Sequence, residues 1–259
     1  MTFYFNYLSS YINDEGKKIY NFTNPYRFNS LGQIKPEYTL SSFEFANNMS
    51  FSEEGHHRVY RSGGSEIRSK VQVFCDTFIG KLGEFAVYQY FRNNGITLTY
   101  PDLKIMGQGE WDSYDFTYKN RKIGVKTTKT NGNLLLLETK DWNKNAQYLP
   151  NLSNGNADYT DFLFVRVDTN IVSNLKRQRL YRNNNIKKEI LEDEFNKSSY
   201  HFDIAHIPIF LVKHAIQQNS IIEKGSYLYK TLIDANNYYI QSGDMFFISN
   251  LINELKSTP

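Results

Sequence analysis

Asp115 and Lys126 are the residues of this chain whose types and spacing best suit hydrolysis of a phosphodiester. That chemistry needs a carboxylate to hold a divalent cation, and a positive charge near the attacking water or the scissile phosphate. Asp115 lies in the alternating segment 114–118, and Lys126 lies in the segment 122–128. A hairpin that joins these two segments would bring both side chains to one site.

The register of this hairpin decides whether the two side chains meet. If Asn120 and Arg121 form a two-residue turn, Asp115 lies directly opposite Lys126 and their Cβ atoms are about 4.5–5.5 Å apart. A three-residue loop would turn one side chain to the other face of the sheet. A third alternative is a half-exposed ion pair without chemistry, worth ~0–1 kcal/mol.

The segments around the pair predict a mixed β-sheet flanked by helices, an α/β (α+β) class. Apolar residues recur with helical spacing over 67–93, and Asn94-Gly95 ends that pattern. We expect residues 1–64 to form an N-terminal extension and residues 65–259 to form the core. The patterns predict strands at 96–100, 114–118, 122–128, 134–137, 161–167 and 207–212, and helices at 214–219 and 250–256.

Composition limits the class of protein. The 259 residues suit one compact α/β unit, and a single cysteine excludes an intramolecular disulfide. No apolar run is long enough for a membrane span, so we expect a cytoplasmic protein without membrane association. No phosphate-binding Gly-rich loop with Lys and Ser or Thr is present, so no nucleotide cofactor is expected. A net charge of +3 leaves nucleic-acid binding dependent on local clusters.

Three segments together resemble the PD-(D/E)xK nuclease superfamily, especially its type II restriction endonucleases. They are Gly80-Lys-Leu-Gly-Glu84, Trp111-Asp-Ser-Tyr-Asp115-Phe116 and Ile123-Gly-Val-Lys126-Thr127. In that family a helix with a Glu precedes a three-stranded meander, with an Asp on the second strand and Glu-x-Lys on the third. The resemblance implies a restriction-endonuclease-like core. It also implies a Mg²⁺ cofactor, Glu84 as the helix Glu, Asp115 as a metal ligand, Val125 as a carbonyl ligand and Lys126 as the catalytic lysine.

One position departs from the family pattern, because Gly124 stands where the Glu of Glu-x-Lys is usual. Glu84 and Glu138 are the two acids that could complete the site. Glu138-Thr-Lys140 is itself a literal Glu-x-Lys, which leaves open that it is the true motif. We expect a carboxylate of Glu84 or Glu138 on the sheet face that carries Asp115 and Lys126.

Two basic clusters are candidate contacts to DNA phosphates, and a solvated surface is the alternative for each. The first precedes or lies within the predicted helix, and the second follows the predicted strand 161–167. The candidate residues are Arg58, Arg61, Arg68, Lys81, Lys176, Arg177 and Arg179.

These observations predict a Mg²⁺-dependent, sequence-specific endonuclease that cuts double-stranded DNA. The resemblance further implies a homodimer, since restriction enzymes usually read palindromes as two-fold dimers. Two alternatives remain open: a nuclease-fold protein that binds DNA without cutting it, and an interaction protein with no nucleic-acid partner.

Overall fold

The computed structural model describes residues 5–52, 67–104 and 114–257. Within these residues the chain forms six α-helices and thirteen β-strands. The helices are α1 (Pro36–Phe51), α2 (Lys70–Asn93), α3 (Ile171–Arg177), α4 (Lys188–Asn196), α5 (Ile209–Gln217) and α6 (Ile248–Ser257). The strands before α2 are β1 (Ser9–Ile12), β2 (Lys18–Asn21) and β3 (Gly32–Gln33). Those after it are β4 (Phe116–Tyr118), β5 (Arg121–Lys129), β6 (Leu134–Glu138), β7 (Asp161–Asp168), β8 (His201–Pro208), β9 (Ile221–Ile222), β10 (Tyr227–Leu228), β11 (Thr231–Leu232), β12 (Asn237–Gln241) and β13 (Phe246–Phe247).

The main sheet is mixed, with the strand order β13-β8-β7-β5-β4 and with β3 also paired to β8. Strands β5 and β7 are parallel, whereas the β4–β5 and β7–β8 pairs are antiparallel. All but the last residue of β7 are buried, which explains its nearly continuous apolar sequence. The predicted mixed sheet flanked by helices is therefore confirmed.

The two faces of the main sheet are covered differently. On one face, α2 packs against Ile123 and Val125 of β5 and against Leu163, Val165 and Val167 of β7. Gly83 of α2 lies so close to β5 that a Cβ there would be 1.9 Å from Oγ1 of Thr127. On the other face, α5 and a small sheet with the order β6-β12-β9 pack against Phe162 and Phe164.

The N-terminal segment is interwoven with later parts of the chain. Strand β2 pairs in parallel with β10 and closes a four-stranded sheet of order β1-β2-β10-β11. Strand β3 pairs with β8 of the main sheet, and α1 packs along α2 through rings such as Phe43 on Phe74. The described part of the predicted extension 1–64 thus contributes to two sheets and to the main core.

Most long elements agree with the sequence patterns. The predictions at 67–93, 134–137, 161–167 and 250–256 correspond to α2, β6, β7 and α6. The strand predicted at 207–212 is wrong, because β8 ends at Pro208 and α5 follows at once. Residues 96–100 form no strand, and α1 lies in a region where the sequence patterns indicate no long element. Among the described residues, no helix is both long and apolar enough to cross a membrane.

Candidate active site

The β4–β5 hairpin (Phe116–Lys129) has a two-residue turn, but not the predicted one. Tyr118 pairs with Arg121, so Lys119 and Asn120 form the turn, and Lys119 has a φ of 51°. Continued by one pair beyond Phe116 and Ile123, this register places Asp115 beside Gly124, not directly opposite Lys126. Lys126 lies two positions further along the same face, a diagonal distance of about 7–8 Å between Cα atoms. The pair keeps the same face because the shift is two residues and not one.

The Asp115 carboxylate is fixed to the backbone of β5. Its Oδ2 accepts a hydrogen bond from the Val125 amide at 2.6 Å, so the side chain takes the place of the next ladder partner beyond the end of β4. A strand residue directs its N–H and C=O to the same neighbouring strand. The Val125 carbonyl oxygen therefore points to the edge where Asp115 lies. Lys126, the next residue of β5, is exposed on the sheet face that also carries Gly124.

The space beside Gly124 is filled by aromatic rings. A Cβ on residue 124 would lie 2.6 Å and 2.8 Å from two ring carbons of Phe162 and 3.0 Å from Cε1 of Tyr159. Phe162 is the β7 partner of Gly124, and its ring stacks on Tyr159 with centroids 4.7 Å apart. Aromatic packing thus occupies this position, and a Glu at position 124 would have no room.

Tyr159 shares the surroundings of Asp115. Burial raises the pKa of the Tyr159 phenol well above its ordinary value, and the charge of Asp115 is the next cause. Tyr114 contacts the Tyr159 ring edge-on at 5.2 Å. The Asp115 carboxylate therefore lies beside the Tyr159 phenol, which stays protonated and uncharged at neutral pH.

Glu84 belongs to the opposite side of the main sheet. It lies on α2, which packs against the Val125 face, and its Oε2 is 2.7 Å from Nζ of Lys81. Lys81 is itself buried and also donates to the Asp102 carbonyl at 2.7 Å. The charge of Lys81 is thus engaged inside the protein and not at a surface where a phosphate would meet it.

Glu138 faces away from the main sheet. It shares its side of β6 with Leu134, whereas Leu135 and Leu137 face Phe162. Its Oε2 forms an ion pair with Nζ of Lys140 at 2.9 Å, and its buried Oε1 has no hydrogen-bond partner among the described residues. The expectation that Glu84 or Glu138 shares the face of Lys126 is therefore wrong: one is on a helix across the sheet, and the other is on the far side of a second sheet.

The oxygen atoms near Asp115 could hold Mg²⁺ with few protein ligands. Within the described ranges, no three His, Cys, Asp or Glu side chains form a metal-sized group. Mg²⁺ is often bound by one or two carboxylates together with water and substrate phosphates. The Asp115 carboxylate and the Val125 carbonyl are two oxygen donors of the required kind on one edge.

The predicted DNA-contacting residues have different surroundings. Arg58 and Arg61 lie outside the described residues. Arg68 is mostly buried and pairs with Asp76 at 3.2 Å. Lys176, Arg177 and Arg179 are exposed at the end of α3 and just after it.

A buried polar network that the sequence did not reveal holds the start of β5. Asp161 of β7 is fully buried and lies 2.7 Å from Nε2 of His206 and 3.2 Å from a guanidinium nitrogen of Arg121. Burial would raise the pKa of Asp161, but the hydrogen bonds from His206 and Thr160 and the charges of His206 and Arg121 lower it overall. Arg121 also pairs with Glu254 of α6. No spacing rule joins these residues, because the contacts depend on strand order.

Comparisons of the chain with protein-family models, with curated proteins and with solved structures find no match. The site is therefore characterised by its own geometry.

Proposed function

We propose that the chain is a Mg²⁺-dependent endonuclease that cuts double-stranded DNA at specific sites, in the manner of a type II restriction enzyme. One observation carries the proposal: the Asp115 carboxylate is held at the Val125 amide, next in the sequence to the exposed Lys126. A fixed carboxylate and an exposed ammonium group at this distance suit a bound phosphodiester between them.

Each residue has a separate task. Asp115 and the Val125 carbonyl would hold Mg²⁺, which when bound polarises a phosphoryl oxygen and makes bound water more acidic. Lys126 is exposed, so its ammonium group can reach a phosphate oxygen or orient the attacking water. The hydrogen bond from Val125 fixes the carboxylate before substrate arrives, which lowers the entropic cost of assembling the site.

The proposal includes a homodimer, because cutting both strands of a palindromic site needs two copies of one active site. Among the described residues, the three-residue strand β4 is at the edge of the main sheet, and Lys126 on the neighbouring strand β5 is exposed.

The test is incubation of the purified protein with unmethylated genomic DNA and Mg²⁺, followed by separation of fragments by size. We expect discrete fragments from the wild type and none from Asp115→Asn. Asparagine keeps an oxygen that can accept the Val125 amide, so the hairpin should stay folded while the metal-binding charge is removed.

Asp234→Asn is the matched control, because Asp234 is exposed and distant in sequence from the hairpin. It should cut like the wild type. Lys126→Ala should lower the cleavage rate by about 10²–10³ or more if its ammonium group stabilises the transition state. Wild-type cutting by Asp115→Asn would refute the assignment of the metal-binding carboxylate.

A second candidate function is DNA binding without cleavage. The observation that favours it is the filled space at Gly124, where Phe162 and Tyr159 occupy the position of the usual carboxylate. A protein that binds duplex DNA but releases no fragments with Mg²⁺ or Mn²⁺ would support this function over the first.

A further inference from the structure

Two segments that are far apart in the sequence, the first turn of α2 and the loop after α3, meet at the start of α2. Ser69 Oγ donates a hydrogen bond to the Tyr181 carbonyl at 3.0 Å. The Lys70 amide donates to Oδ1 of Asn184 at 3.0 Å, and the Val71 amide donates to the Asn183 carbonyl at 3.2 Å. These bonds join the first turn of α2 to the loop that follows α3.

Tyr181 connects this loop to the C-terminal end of β5. Lys176 lies over its ring, with Nζ 4.8 Å from the centroid, and Nζ of Lys129 is 6.0 Å from the same centroid. Cation–π contacts of this kind hold two lysines near each other despite their like charges. Both lysines are exposed, so their charges face solvent.

The remaining basic residues nearby differ in how far acids neutralise them. On α4, Lys188 pairs with Glu192, and at its end Lys197 pairs with Asp193. Within the described part of the chain, by contrast, no ion pair involves Lys176, Arg177 or Arg179. The unneutralised charge is therefore concentrated on Lys176, Arg177 and Arg179, at the end of α3 and just after it.

The backbone at the start of α2 cannot supply the anion site itself. The Lys70 and Val71 amides are occupied by Asn184 and Asn183, and the Gln72 amide donates to Ser69 Oγ. Side-chain charges must therefore carry any binding of an anion here. Exposed lysines and arginines in a row are the usual contacts to a phosphate backbone.

We propose that six residues form one surface that binds the phosphate backbone of a DNA duplex beside the hairpin. This basic surface consists of Lys70, Lys129, Lys176, Arg177, Arg179 and Arg182, all of which are exposed. The inference rests on the proposed function for the identity of its partner. It deepens that function by naming where the flanking DNA lies.

The basic surface has a defined distance from the candidate site. Lys129 is five residues along β5 from Gly124, the neighbour of Asp115, which corresponds to ~17 Å at about 3.3 Å per residue. Lys129 is on the α2 face of β5, whereas Lys126 is on the other face, so the flanking duplex would pass the C-terminal end of this strand.

The test is the salt dependence of duplex binding in the absence of divalent metal, measured by fluorescence anisotropy. The triple variant Lys176→Gln, Arg177→Gln, Arg179→Gln removes three charges of the basic surface. If each charge binds one phosphate, the slope of log K against log salt should flatten by about 0.9 for each phosphate that is no longer neutralised. Affinity should fall for every sequence tested, because phosphate contacts carry no base information.

The matched control is the triple variant Lys213→Gln, Lys224→Gln, Lys230→Gln, which removes three exposed charges elsewhere. It should keep the wild-type slope. Equal slopes for both triple variants would overturn the basic surface even if the protein cuts DNA. A flattened slope in the first variant alone would support the surface even if no cleavage occurs. Failure of the wild type to bind any duplex would overturn both proposals.

Discussion

Replacing Gly124 with alanine should destabilise the protein through a single methyl group. The new Cβ would lie 2.6 Å from Cε1 of Phe162, whereas unstrained carbon contacts are about 3.5–4.0 Å. Phe162 would have to move by roughly 1 Å. It is 1 % exposed, with Tyr159 stacked at 4.7 Å and Trp142 at 5.7 Å, so its ring has little free space.

The expected cost follows from overpacking of a buried core. Forcing an extra methyl into such a site costs ~1–3 kcal/mol. For a chain of this size, each kcal/mol lowers Tm by about 2–4 °C, so a fall of roughly 2–12 °C is expected. Gly124→Glu, which adds a larger and charged side chain at the same place, should be less stable still and should not raise cleavage.

Thermal unfolding and urea titration measure the effect, with Gly80→Ala as the matched control. No atom lies within 4 Å of a Cβ at Gly80, and the position is helical. Alanine there should raise stability by about 0.5–1 kcal/mol. Adding Phe162→Leu to Gly124→Ala should cost less than the sum of the single changes, because the smaller side chain relieves the overlap. A Gly124→Ala protein as stable as the wild type would refute the packing at this position.

Two further predictions concern buried carboxylates. Asp161→Asn should lower the free energy of unfolding by about 1.5–3 kcal/mol at neutral pH, because it removes the buried charge that His206 and Arg121 contact, while Glu254 still pairs with Arg121. The pKa of Asp161 is lowered by folding, so its contribution is present above the unfolded pKa of ~3.9 and disappears as pH falls through the lower folded value. Urea titrations from pH 7 to pH 3 should therefore show the wild type and this variant converging in acid, and a constant difference would contradict the network. Glu138→Gln should change the free energy of unfolding by ~1 kcal/mol or less, because relief of the buried charge offsets the loss of the ion pair with the exposed Lys140. If this variant is stable but does not cut, Glu138 acts in catalysis; if it is markedly unstable, the burial argument fails.

Sequence patterns identify a helix or strand when its own residues show which positions are buried and where the element ends. The apolar run of β7 and the capped, regularly spaced α2 are examples, because burial and helix ends leave local signals. The run at 207–212 has no such signal, since a short apolar segment fits a buried strand or a buried helix equally well. Pro208 ends the strand here and precedes α5.

The candidate site was predictable only in part, for a related reason. The position of Asp115 relative to β5 depends on one nearby turn. Its sheet face could therefore be predicted, although the observed register differs from the predicted one by two residues. The ring that fills the Gly124 position comes from Phe162 of β7, which is far from the hairpin in the sequence. Parallel pairing of β5 with β7 depends on the whole sheet, and no local pattern encodes it.

The close approach of Gly83 to Thr127 has a consequence for motion. Helix α2 has 24 residues and is therefore ~36 Å long, and at Gly83 its backbone lies directly against the Thr127 side chain of β5. The helix cannot roll or slide at this point without separating from the strand. Its first turn carries Lys70 of the basic surface, and its middle rests on the strand that carries Lys126. A shift of the first turn of α2, for example on binding of a ligand there, would thus move the whole helix and with it the hairpin. The backbone amides of α2 and β5 should exchange with solvent as one cooperative unit.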